Sequence, residues 1–214
     1  MEARSFTIPS CSLLFFALTV LLLISNINPT LAGTSTTAKS NSLKIYKNFI
    51  KTSCNSTLYP ALCYKYLSSH ASTIKTDSVK LCNTALTVNL KAANKTSALV
   101  TSLAKKGGLR PAEKAVIEDC NEEIDDCVDE LRKASNVLDN LRDALNKEDQ
   151  MADIKTWVSA AMTDEDTCMD EFEENNVRES VKNKIKKSIV DLRQITSNSL
   201  ALINRLSNWI NPIS

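Results

Sequence analysis

The chain has 214 residues, with 26 Lys and Arg against 25 Asp and Glu, for a formal net charge of +1 at pH 7. So even a balance offers no basic field to draw nucleic acid or an anionic membrane surface. Only three glycines and one histidine occur, which argues against the turn-rich β-sandwiches and doubly wound sheets and leaves any His-dependent nucleophilic centre a single imidazole to use.

Arg4 precedes an apolar run from Leu13 to Ile24. That is about a dozen residues, short of the roughly 20 a membrane span needs. Thr30-Leu31-Ala32 then offers small residues at the positions a signal peptidase reads. Residues 1–32 are read as a secretory signal cleaved near Ala32–Gly33, which leaves an exported chain and carries off one acid, Glu2, and one base, Arg4. Two N-glycosylation acceptors fit export, Asn55-Ser56-Thr57 and Asn94-Lys95-Thr96, with Asn55 and Asn94 as the candidate sites. Residues 33–42 are rich in Ser and Thr and are expected to form a flexible leader.

Roughly 180 residues follow the signal, the size of one domain. The spacing predicts two short helices over 43–52 and 57–68, with Cys54 and Cys63 around their junction. Residues 77–105 repeat Val79, Cys82, Leu86, Ala93 and Val100, with Asp77 as N-cap and Gly107-Gly108 as the stop. From Pro111 to about Lys147, apolar residues recur alternately every three and four: Ile117, Cys120, Ile124, Cys127, Leu131, Ala134, Leu138, Leu141 and Leu145. Residues 150–162 set Met151, Ile154, Trp157, Val158 and Ala161 on one face. Residues 178–209 repeat Val181, Ile185, Ile189, Leu192, Ile195, Ile203 and Leu206. Long helices with one apolar stripe need partners, and short connections make them antiparallel neighbours. The expectation is an all-α domain over 43–210, with a helical hairpin at 43–70 followed by a four-helix up-down-up-down bundle at 77–210.

The chemical inventory points away from catalysis. His70 lies among Ser68, Ser69 and Ser72 in what reads as a surface loop. No phosphate-cradling glycine loop occurs, and the cysteines lack paired zinc spacing, so neither cofactor nor metal is expected. Cys120 and Cys127 are two helical turns apart, roughly 10 Å, too far for a disulfide. Cys82 and Cys127 lie on stripes of adjacent helices at heights differing by about 7 Å. That favours free, buried thiols over a third bridge. Acidic residues gather at 118–130 and again at 164–174. One reading is a solvated helix face; the other is an acidic surface for a basic protein partner.

Four stretches together resemble the plant invertase and pectin methylesterase inhibitor family. They are Ser53-Cys54 with Tyr59-Pro60-Ala61-Leu62-Cys63, Glu118 to Asp126, Thr156 to Phe172, and Thr196 to Ile203. The resemblance implies the bundle with its N-terminal hairpin, and disulfides Cys54–Cys63 and Cys120–Cys168. It implies a wall-localised inhibitor, secreted to the apoplast, that covers the active-site cleft of its target enzyme and has no activity of its own. Invertase inhibitors typically carry Pro-Lys-Phe where this chain reads Asn146 to Met151. Trp157-Val158-Ser159-Ala160-Ala161 looks more like the pectin methylesterase branch. Pectin methylesterase is thus the expected partner, in a stoichiometric complex. An acid invertase, or a structural wall role without a target, are the alternatives. The family's domain also precedes catalytic pectinesterase domains, and none is expected after Ser214. Departures are Cys127, where many members have alanine, the added Cys82, and the lack of a cysteine in the last helix, where the chain reads Asp191-Leu192-Arg193-Gln194. By position, the resemblance places Glu122, Asp126, Asp129, Thr167 and Asp170, beside the second disulfide, at the target-binding face.

Overall fold

The computed structural model describes residues 32–210. The chain divides into two units, Met1–Ser42 and Leu43–Ser214. The second unit holds the hairpin and the bundle. Helix α1 is Ala32–Cys54. Residues 33–42, expected as a flexible leader, are thus helical. Gly33 is the poorest former there, the Ser, Thr and Asn residues cost only about 0.5 kcal/mol each, and no proline intervenes, so the segment extends a helix already nucleated downstream. The proposed signal, apart from Ala32, lies outside the described residues.

Helix α2, Pro60–Leu67, starts on a proline, whose missing N–H costs nothing at that position. A 3-10 turn, Ser68–His70, and the one-turn helix α3, Ala71–Ile74, complete the hairpin. Cys54 and Cys63 are disulfide-linked across it. The Asn198 side chain docks the hairpin on the last helix. Its Oδ1 accepts from the Tyr59 N–H at 3.0 Å and its Nδ2 donates to the Tyr59 carbonyl at 3.0 Å.

The four long helices are α4 Ser78–Ala104, α5 Pro111–Asn140, α6 Lys147–Glu174 and α7 Glu179–Ile210. Each packs on the next, and α4 packs on α7, which closes an up-down-up-down bundle. Asp77 caps α4 by accepting from the N–H groups of Val79 and Lys80. Gly108 turns the chain between α4 and α5 at φ +81°, a conformation that side chains disfavour. The expected stripes form the core: Ile117, Cys120, Ile124, Cys127, Leu131, Ala134 and Leu138 of α5 are all buried.

Two boundaries differ from the expected ones. Helix α5 stops at Asn140, gives one 3-10 turn, Leu141–Asp143, and then extends at Ala144. Leu141 stays buried, but Leu145, expected on the stripe, is fully exposed at 103 %. Helix α6 runs twelve residues past the expected Met162. Its buried positions continue at the same rhythm through Ala161, Glu165, Cys168 and Phe172, but a glutamate and a cysteine do not read as apolar. Among the described residues, no helix is long and apolar enough to cross a membrane.

Candidate functional site

Cys120 of α5 and Cys168 of α6 form the second disulfide, with their Cα atoms 4.4 Å apart. This link fixes the two helices side by side, and the acidic residues flank it on both. On α5, Glu122, Asp126 and Asp129 are exposed and point away from the buried stripe. On α6, Asp170 is exposed and Thr167 half-buried. The structure therefore brings the five candidate residues onto the outer surface of one helix pair. Asp129 is engaged by Arg132, and the Thr167 hydroxyl donates to the Thr163 carbonyl at 3.0 Å. Glu122, Asp126 and Asp170 have no hydrogen-bond or ion-pair partner among the described residues.

The seam between the helices is acidic as well. Burial, then the charges of Asp126, Glu171 and Glu122, raise the carboxyl pKa of Glu123. Asp164 is pushed up to about 6 by burial and by Glu123, Asp126 and Glu130. Like charges at close range disfavour ionisation, so Glu123, Glu130, Asp164 and Glu171 belong to the same electrostatic surface. The family resemblance did not point to these four, although the acidic runs at 118–130 and 164–174 contain them all. Basic side chains trim its edges: Lys133 holds Glu130, and Arg193 and Lys186 of α7 hold Asp166 and Glu173.

His70 is exposed at the end of its 3-10 turn, far in sequence from the acidic pair of helices. An open groove of about 830 Å³ lies beside the α4–α5 turn, lined by Lys105, Lys106 and Lys114 together with Glu118, Asp119 and Glu122. Its charges are mixed, and it holds neither a nucleophile paired with a base nor a convergent donor set. No group of three or more His, Cys, Asp or Glu side chains among the described residues is placed to hold a metal ion.

The remaining candidates are surface asparagines and buried thiols. Asn55 and Asn94 are exposed, but the threonines that complete their sequons are not: Thr57 donates to the Cys54 carbonyl at 2.8 Å and Thr96 shares a 2.9 Å bond with Ser188. Cys82 and Cys127 are free and buried. Burial pushes the Cys82 thiol up to about 12, and burial, with the charges of Glu165 and Asp164, raises the Cys127 thiol as well. Thiols this protonated are poor nucleophiles.

The family model described as plant invertase/pectin methylesterase inhibitor matches residues 48–202. The chain belongs to that family. Its relatives include pectinesterase inhibitor 4 of Arabidopsis thaliana, 40 % identical over 90 % of this chain and 96 % of the relative. Pectinesterase inhibitor 10 of the same plant is 43 % identical over 73 % of this chain, which spans half of that longer relative. These relatives are named as inhibitors, and membership makes this chain a non-enzymatic, inhibitor-type protein. The crystal structure of a pectin methylesterase inhibitor mutant from Arabidopsis shares the fold, with a TM-score of 0.54 at 24 % identity, covering 71 % of this chain and 92 % of that one.

Proposed function

We propose that this chain is a secreted inhibitor of pectin methylesterase, and that it binds the enzyme with the outer surface of α5 and α6. Membership of the inhibitor family supports the activity. The observation that supports the surface is the set of exposed, unpartnered carboxylates, Glu122, Asp126 and Asp170, beside the Cys120–Cys168 link. A disulfide-fixed helix pair holds its side chains in place before binding, which lowers the ordering cost of association. Thr167, Asp129 and the seam carboxylates complete a face suited to basic and hydrogen-bonding groups at the rim of an enzyme cleft. The complex is stoichiometric and covers the cleft, and its place of action is the cell wall, where pectin methylesterification is set.

The test mixes the purified mature protein with pectin methylesterase and, separately, with acid invertase. Pectin methylesterase activity should fall along a titration that reaches its end near one equivalent, with invertase unaffected. Loss of invertase activity instead, or of neither, contradicts the reading.

A further inference from the structure

Midway along the bundle, each of the four helices contributes one polar side chain to a single buried cluster: Asn89 from α4, Cys127 from α5, Glu165 from α6 and Thr196 from α7. All four have 0 % exposure. The Cys127 thiol donates to Glu165 Oε1 at 3.6 Å. Thr196 Oγ1 lies 2.5 Å from the same Oε1, 3.0 Å from Asn89 Oδ1 and 3.1 Å from the Leu192 carbonyl oxygen. Glu165 Oε2 and Asn89 Nδ2 are buried without partners.

We propose that this layer is a proton-dependent lock: the bundle closes around Glu165 as the neutral acid, and opening of the layer releases its proton, so rising pH favours an opened form in which Cys127 is exposed. Two geometric facts carry it. The first is that, among the described residues, no cation bonds the Glu165 carboxyl. The charged or titratable groups facing Glu165 are Cys127 of α5, Arg193 of α7 and, on its own helix, Asp166; α4 brings only the neutral Asn89. Arg193 is half exposed and engaged by Asp166. An isolated carboxylate in such a setting neutralises instead of staying charged. The second fact is a proton count. Thr196 has one hydroxyl hydrogen and three oxygen acceptors around it. A carboxyl proton on Glu165 Oε1 supplies one of the two donors this arrangement lacks. Glu165 then donates to Thr196 Oγ1, and Thr196 donates to Asn89 Oδ1 or the Leu192 carbonyl.

The electrostatics agree in direction. Burial is the chief cause raising the Glu165 pKa from 4.5 to about 8, against the opposing bonds from Thr196 and Cys127. An acid whose folded value is raised contributes stability fully below its unfolded value, near 4.5. That contribution falls as pH climbs toward about 8, because the open form ionises first. The opening equilibrium then grows by up to about tenfold per pH unit across that window and levels off above it.

Cys127 reports the opening, and Cys82, outside the layer, is the internal control. The test is alkylation of the native, disulfide-intact protein between pH 5 and 8, with labelling of each cysteine followed by peptide mass spectrometry. The ratio of the Cys127 rate to that of a cysteine peptide at the same pH cancels the thiolate fraction. Cys82 shows what part of the labelling passes through global unfolding, which frees Glu165 as well, so an equal climb at Cys82 overturns a local lock. The wild-type ratio should climb steeply over this range, and Glu165→Gln should make it flat. If Gln does not fold, Glu165→Met should give the same flat profile. A flat wild-type ratio overturns the proposal whatever the variants do, and so does an equal climb in a folded variant.

Discussion

Glu113 and Glu165 are both glutamates with almost no exposed surface, at 1 % and 0 %, and their neighbours give them different charge states, Glu113 ionised and Glu165 neutral. Glu113 sits at one end of the bundle among donors. Its Oε1 accepts from Arg178 N–H and Nε at 2.9 and 3.0 Å, and its Oε2 accepts from the Arg110 N–H at 2.9 Å. The same two arginines reach the Asn176 and Gly108 carbonyls, so one carboxylate ties the α4–α5 and α6–α7 connections together. Bonds from Arg110 first, and then Arg178, hold its pKa well below the usual carboxylate range. A depressed value contributes stability above the unfolded pKa, near 4.3, and loses it as pH falls further. Glu113→Gln should therefore lower the thermal midpoint by several degrees at pH 7. The deficit should shrink as pH drops below about 4.3, and thermal melts of both proteins from pH 7 to 3 check it. A constant deficit would mean that charge is not what Glu113 contributes.

At the scale of the helix, the break after Asn140 separates two leucines that the heptad pattern treats alike. Leu138 is wholly buried, whereas Leu145 projects into solvent. Leu138→Ala should cost about 2–5 kcal/mol, the range for a buried leucine. Leu145→Lys should stay within about 0.5 kcal/mol. Denaturant melts measure both, and a comparable loss at the two sites would put Leu145 back in the core. Periodicity made the bundle legible because apolar residues three and four apart have only one economical place to go. It could not show where α5 stops, since the end depends on a local turn at Leu141–Ala144 with no proline or glycine to mark it. It stopped short in α6 for the opposite reason. Glu165 and Cys168 occupy core positions of an unbroken stripe, and their burial rests on partners from two other helices, Cys127 and Cys120 of α5 and Thr196 of α7. The acidic runs were visible in sequence, but their meeting across the α5–α6 seam required the bundle's register.

For the whole molecule, charge is arranged by face even though its sum is close to zero. The α5–α6 surface is acidic, while Lys182, Lys184, Lys186 and Lys187 crowd the start of α7. Net charge conceals this separation, and it is the local field that a partner meets. Rim charges act mainly on association rate and are screened by salt. The most direct measurement is the inhibition of pectin methylesterase by wild type and by the Asp126→Lys/Asp129→Lys double variant, at low and at high ionic strength, with circular dichroism confirming the helices. The variant should inhibit about tenfold or more weakly at low salt, corresponding to about 1.4 kcal/mol, and the gap should narrow at high salt. A folded double variant that inhibits as well as wild type at low salt would remove the α5–α6 face from the interface.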